Sequence, residues 1–142
     1  VTFLLDVNVV IALIDPTHIS HDAAHEWFGT EGRHSWATCP IVENGAMRIV
    51  ANPRYPNTPG SPAVVASVLR DFTTQPGHLF WPDDISLLTA AHIDLNHLLG
   101  HGQITDSYLL ALAVAHGGQF ASLDHRLSTT AVHGGRAALR LI

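Results

Sequence analysis

The chain contains no lysine. Its seven basic residues are all arginine, set against twelve acids and eleven histidines, and the formal net charge is −5 with histidine neutral. Walker-type nucleotide binding places a lysine on the phosphates and Schiff-base catalysis needs a lysine amine, so both are excluded. The acidic balance argues against broad, non-specific nucleic-acid binding, which depends on many basic contacts to phosphate, and leaves room for a narrow site centred on a metal ion. Cysteine is nearly as scarce. Cys39, being alone, cannot form an internal disulfide, and a lone buried thiol suits a reducing compartment, so a cytoplasmic location is expected. The apolar opening of fourteen residues lacks a basic leading segment and is interrupted by Asp6 and Asn8, so neither a signal peptide nor a membrane span is expected.

What remains is ordinary in size and regular in pattern. A chain of 142 residues can bury a core as one domain over residues 1–142 without disulfide staples. Residues 2–6 read as a fully buried strand, and Val7 to Ile14 as a short helix stopped by Asp15-Pro16, because the residue before proline disfavours helical geometry. A helix follows over Ser20 to Thr30, then a short strand over His34 to Thr38. Pro40 suits the first turn of a helix that runs until Asn52-Pro53, with Glu43 near its start. Residues 53–60 read as a loop. Ser61-Pro62 caps a helix whose apolar positions are Val64, Val65, Val68, Leu69 and Phe72, ended by Gln75-Pro76-Gly77.

Beyond it, His78 to Trp81 reads as a strand. Asp83 or Asp84 is then expected to cap a helix with a buried stripe of Ile85, Leu88, His92, Leu95 and Leu99, closed by Gly100-His101-Gly102. Thr105 caps the next helix, which is apolar nearly all round through Ala115 and has Asp106 as its first residue. Gln119 to Leu123 reads as a strand that delivers Asp124, and Leu139 to Ile142 as a last short strand. Strands alternating with helices predict right-handed crossovers and a parallel sheet covered on both faces, with the ligand crevice outside the carboxyl ends of the strands.

Four acids fall on that rim: Asp6 and Asp124 at strand ends, Glu43 and Asp106 at helix starts. Taken singly, Asp106 reads as a cap, Asp124 as a turn former and Glu43 as an ordinary first-turn acid. Asp6 is different, because a carboxylate flanked by apolar runs needs a partner or a cation. Carboxylates brought within about 4 Å repel by roughly 4 kcal/mol per pair at an effective dielectric near 20, so a cluster takes up protons or binds cations. One or two Mg²⁺ or Mn²⁺ ions suit such oxygen donors and can activate water for attack on a phosphodiester. The histidine pairs His21/His25 and His97/His101 have the four-residue spacing that can hold zinc, but the metalloprotease pattern is absent, and packing or surface roles are expected.

Two other readings fit Asp6. An aspartyl phosphatase would use it as nucleophile, but Asn8 stands where the general acid would be needed and no lysine is present to steady the phosphoryl group; a phospho-receiver module suffers the same lysine deficit. Alternatively, the acids of a non-catalytic binding module would only engage a basic partner.

The segments FLLDVNVVIAL (Phe3 to Leu13), HISHDAAHEWF (His18 to Phe28), TCPIVENGAMRI (Thr38 to Ile49), QITDSYLLALA (Gln103 to Ala113) and FASLDHRL (Phe120 to Leu127) together resemble the PIN-domain nucleases, most closely the VapC toxins of bacterial toxin–antitoxin pairs. The resemblance implies a single PIN-like α/β domain, an α/β/α three-layer sandwich around a mainly parallel sheet of four or five strands. It also implies a metal-dependent endoribonuclease acting on cellular RNA, whether tRNA, rRNA or mRNA, and inhibited by a cognate VapB-type antitoxin, with a homodimer expected. Asp6, Glu43, Asp106 and Asp124 match the acidic quartet, with Asp6, Asp106 and Asp124 as metal ligands. Asn8 and Thr105 match supporting polar positions. Arg126, two residues beyond Asp124, is a candidate contact to a substrate phosphate and equally a solvated surface arginine. Residues 52–101 carry little of the resemblance.

Overall fold

The structure, a computed structural model, describes residues 1–142. Five strands form one sheet: β1 (Phe3–Leu5), β2 (Trp36–Thr38), β3 (His78–Phe80), β4 (Gln119–Ser122) and β5 (Leu139–Leu141). Their order is β3-β2-β1-β4-β5, and every pairing is parallel. The helices are α1 (Val7–Ile14), α2 (His21–Thr30), α3 (Pro40–Val50), α4 (Pro62–Thr73), α5 (Ile104–Ala115) and the short α6 (Gly135–Ala138). Helix α1 packs with α2, α3 and α4, while α5 packs with α6, β4 and β1. All residues of β1 and β2 are buried, as a parallel sheet covered on both faces requires. None of the helices is long and apolar enough to cross a membrane.

The chain order explains where the open rim lies. From β1 the chain moves outward through β2 to β3, then returns to the other side of β1 for β4 and β5. The direction reverses between β1 and β4, and a crevice opens at such a switch point outside the carboxyl ends of the two strands. Asp6 directly follows β1, and Asp124 lies two residues past β4.

Local chemistry fixes the elements that flank this rim. Asp6 is the N-cap of α1, its Oδ1 accepting the Val7 amide at 2.7 Å. Ser61 caps α4 before Pro62. Pro40 opens α3, but Cys39 offers no side-chain cap; Asp83, from the segment after β3, accepts the Ile41 amide at 3.1 Å instead. Gly45 on α3 faces Val7 so closely that a Cβ would stand 2.9 Å from its Cγ2, so the small residue lets α3 approach the start of α1 beside Asp6. Gly77, at φ +87°, turns the chain into β3 where a Cβ would meet the Arg33 carbonyl oxygen at 2.3 Å.

Behind the rim, the buried Asp15 at the end of α1 accepts the Tyr55 hydroxyl, the Thr17 amide at 3.0 Å and the Asn57 amide at 3.3 Å. Burial pushes this carboxyl up, but the hydrogen bonds outweigh it and hold the group below the usual carboxylate range. The loop over residues 53–60 is thereby tied to the end of α1.

The helix expected over residues 85–99 is absent. That stretch is irregular, with one 3₁₀ turn over Leu95–His97. Its backbone finds partners elsewhere: Tyr108 donates to the Ile85 carbonyl at 3.0 Å, the Asp94 amide to Ala131 at 2.8 Å, and the His133 amide to His92 at 2.8 Å. The helical stripe does not describe burial either, since Leu88 and Leu99 are 84% and 82% exposed while Ile85, Leu87 and Ile93 pack on the core. With no helix there, the spacing of His97 and His101 carries no geometric meaning, and Asp83 caps α3 rather than a following helix. The helix expected to begin with Asp106 begins two residues earlier at Ile104, with Gln103 as its N-cap, so Thr105 is not the cap.

Candidate active site

Three of the four acids gather at the switch point. Asp6 is 6% exposed, and its Oδ2 accepts the hydroxyl of the fully buried Ser122 at 2.6 Å. Ser122 is the knot of the site, for its Oγ also accepts the Asp124 amide at 3.0 Å and the Asn8 side-chain amide at 3.4 Å. Asn8 completes the tie by accepting the Leu123 amide at 3.2 Å on its Oδ1. The ends of β1 and β4 are thus bonded to each other through side chains, which sets Asp6 against the turn that carries Asp124. The Asp124 Oδ1 accepts the Arg126 amide at 2.9 Å and closes that turn.

The electrostatics record the crowding. Burial pushes the Asp6 carboxyl up to about 6; the charges of Asp106 and Asp124 add to the rise, while the Ser122 hydroxyl and the Val7 amide oppose it. Asp106 is raised as well, by burial first and by Asp124 second. Ser122→Ala is expected to raise the Asp6 titration further and to destabilise the fold at neutral pH by about 1–3 kcal/mol, the cost of leaving buried polar groups unpaired. Carboxyl-resolved NMR titration and urea denaturation check the two parts.

Two cavities share this acidic wall. One, of about 500 Å³, is lined by Asp6, Val7, Ile41, Asn44, Arg48, Asp83, Thr105 and Asp106 among others. A second, of about 330 Å³, is lined by Asp6, Asn8, Ile11, His18, Ile49, Tyr55, Asp106 and Asp124. Thr105 therefore faces the cleft without capping α5. Arg126 is exposed, and its side chain forms no ion pair within the chain.

Glu43 is not part of this group. Its Oε2 accepts the Thr38 hydroxyl at 2.7 Å, and Thr38 is also 2.8 Å from His78 Nε2. Glu43 lines a different cavity, of about 200 Å³, between α3 and α4 with Val10, Met47, Leu69 and Arg70. The cause is helical rotation: Asn44 is one residue on, about 100° round the helix, and it is Asn44 and Arg48, four residues apart, that face Asp6.

The donor set fits a hard divalent cation. Every candidate ligand is a carboxylate oxygen, and the mutual repulsion that raises Asp6 is one that a cation relieves. No three His, Cys, Asp or Glu side chains close on a single point, so the aspartates ring the cleft rather than form a cage. Mg²⁺ and Mn²⁺ tolerate that arrangement, since they keep several waters and take few direct carboxylate oxygens.

His21 and His25 do not form a zinc pair. Their rings hydrogen-bond the carbonyls of Ala12 and Leu13, at 2.7 and 3.3 Å, and so serve the end of α1. Cys39 is buried, and its thiol is pushed up to about 12 by burial and by the neighbouring Asp83 carboxylate, so it stays protonated and unreactive. The sequence reading missed Ser122, Arg48, Asp83, His18 and Tyr55 as site residues. Only Arg48 carried a usable signal, its four-residue spacing from Asn44.

The PIN-domain family model matches residues 3–132. The chain belongs to the PIN-domain family. Within it, the chain is 43% identical over 131 residues to ribonuclease VapC44 of Mycobacterium tuberculosis, covering 92% of each chain. It is 40% identical over 133 residues to ribonuclease VapC39 of the same organism, covering 94% of this chain and 96% of that one. The crystal structure of VapBC2 from Rickettsia felis, bound to a DNA fragment from their promoter, superposes with a TM-score of 0.60 and 12% identity over 100% of this chain and 99% of that one, a likeness of fold. The PIN-domain architecture expected from the sequence, around a mainly parallel sheet of four or five strands, is the one found, with five strands and every pairing parallel.

Proposed function

We propose that this PIN domain is the toxin of a type II toxin–antitoxin system, an endoribonuclease that hydrolyses phosphodiester bonds in cellular RNA with the help of one or two Mg²⁺ or Mn²⁺ ions. The observation that carries the reading is the meeting of Asp6, Asp106 and Asp124 at the β1/β4 switch point, with Asp6 ionising only near pH 6. Relatives named ribonuclease VapC at 40–43% identity support the same activity. Asp6, Asp106 and Asp124 would hold the ion, directly or through water. When bound, the ion supplies Lewis-acid polarisation of the phosphate and lowers the pKa of an attacking water.

The chain's own residues do the rest. Ser122 and Asn8 fix the Asp6 carboxylate and the turn of Asp124, so these two acids need no rearrangement when the substrate arrives. Thr105 and Arg48 line the cleft as donors, and the exposed Arg126, two residues past Asp124, is the candidate for a further phosphate. We assign Glu43 a supporting role that requires it to leave Thr38. Glu43→Gln is therefore expected to slow cleavage by about 10–100-fold, the usual cost of an outer-shell partner, with Mn²⁺ affinity less affected; steady-state kinetics beside calorimetry separate the two.

A VapB-type antitoxin is the proposed partner, supported by the VapC names of the relatives. The exposed apolar side chains Val64, Leu79 and Phe80 support self-association into a homodimer, which sedimentation analysis reads directly. Mapping of RNA ends after controlled expression tests the function: new 5′ ends at defined sites with wild type and none with Asp6→Asn support it, and identical end profiles contradict it.

The phosphatase reading fares worse against the structure. Asn8, which stands where its general acid would be, is spent on the bonds to Ser122 and Leu123 that join the strand ends.

A further inference from the structure

We propose that His18 binds a backbone phosphate of the RNA through its Nε2–H group, an assignment that rests on the ribonuclease reading of the acidic cleft. His18 lies in the turn between α1 and α2, where its amide donates to the Asp15 carbonyl at 3.1 Å. Its ring Nδ1 accepts the Ser20 amide at 3.0 Å. An Nδ1 that accepts a backbone N–H carries no proton, so in the neutral ring the proton is on Nε2. The turn thus fixes both the ring's place and its tautomer.

The same residue lines the 330 Å³ cavity with Asp6, Asp106 and Asp124. No arginine lines that cavity, and its other polar side chains are acceptors or already committed. The Asn8 amide is turned to Ser122, and the Tyr55 hydroxyl donates to Asp15. His18 Nε2 makes no hydrogen bond within the chain and is the side-chain donor left to a ligand. A phosphate offers only acceptor oxygens. A cation held by the carboxylates would engage it on one side, and the pre-oriented N–H matches it on the other.

Two residues that line the cavity, His18 and Tyr55, are anchored on one buried residue. Asp15 holds the His18 turn through its backbone carbonyl and the Tyr55 ring through its carboxylate. The donor therefore needs no ordering when RNA enters, which favours a contact felt in binding more than in turnover.

The test compares His18→Asn with His18→Gln. Asparagine can keep an acceptor for the Ser20 amide but lacks the distal donor, whereas glutamine places an N–H near the Nε2 position. Cleavage of bulk transfer RNA in Mn²⁺, and binding of a fluorescein-labelled RNA oligonucleotide in Ca²⁺ followed by anisotropy, provide two readouts. With His18→Asn, KM and the RNA dissociation constant are expected to rise roughly tenfold with kcat changed less than about threefold, and His18→Gln to recover most of the loss. Mn²⁺ calorimetry on both variants should match wild type. Wild-type KM and RNA affinity in His18→Asn, or a parallel fall in Mn²⁺ affinity, overturns the assignment. Cleavage that needs Asp6 but ignores His18 sinks this inference alone. If wild type cleaves no RNA yet its RNA affinity still depends on His18, the nuclease reading fails and the phosphate contact stands.

Discussion

Asp6→Asn is expected to reduce metal-dependent RNA cleavage by about a thousandfold, a loss of about 4 kcal/mol in transition-state stabilisation, with the fold intact. The depth of the loss follows from position. Asp6 is the most buried of the three aspartates, the one held by both Ser122 and the α1 amide, and the one that lines both cavities together with Asp106. The fold should survive because an asparagine carbonyl can still accept the Val7 amide, and loss of the bond from the Ser122 hydroxyl is offset by removal of a buried charge. Single-turnover cleavage of a labelled RNA measures the chemical step, and circular dichroism confirms that the variant is folded. A variant that is folded and cleaves within a few-fold of wild type would remove Asp6 from the chemistry.

In the ion-free protein the same substitution should raise stability at neutral pH, by at most about 3 kcal/mol for a shift of roughly two pK units. The sign follows from proton binding. The folded carboxyl titrates near 6 against 3.8 for an ordinary aspartate, so between those values the folded state binds more protons than the unfolded one. Stability from this group is full below about pH 4, declines as pH rises to 6, and stays low above it. Asp106, also raised, acts in the same direction. Asp15 acts oppositely: its lowered carboxyl stabilises the fold above the ordinary value of 3.8 and loses that contribution as pH falls through its own lower one. Urea denaturation in chelator at pH 4.5 and 7.5 separates these effects, because the difference between wild type and Asp6→Asn should be small at the lower pH and largest at the higher. Equal differences at both would mean that Asp6 is not raised. Adding Mn²⁺ at pH 7.5 should reverse the order, since only wild type gains the binding energy of the ion.

Why the sequence exposed three of these acids and hid much else follows from what hydrophobic patterning records. Asp6 and Asp124 interrupt or end buried strands and Asp106 opens an apolar helix, so burial period alone puts them on one rim once the sheet is parallel. Glu43 shares the helix-start signature, but its direction depends on rotation about α3, and a single residue's turn sends it to Thr38 while Asn44 and Arg48 face the cleft. Ser122 left no trace because a serine at the end of an apolar strand looks like any small residue until its partners are known. His18 and Tyr55 belong to turns whose approach to the cleft is set by Asp15, a contact 40 residues apart for Tyr55. The stretch 85–99 shows the converse failure. A helical spacing of leucines was present, yet its backbone bonds to Tyr108 and to residues 131–133 won over an internal ladder.

Titration calorimetry with Mn²⁺ at pH 7.5, comparing wild type with Asp6→Asn, Asp106→Asn and Asp124→Asn, tests most directly whether the switch-point aspartates form a cation site. The expected result is saturable binding to wild type and an affinity at least roughly tenfold weaker in each variant, with wild-type affinity falling as pH is lowered through 6. Isotherms that coincide for all four proteins, or that show no binding to any of them, would contradict it.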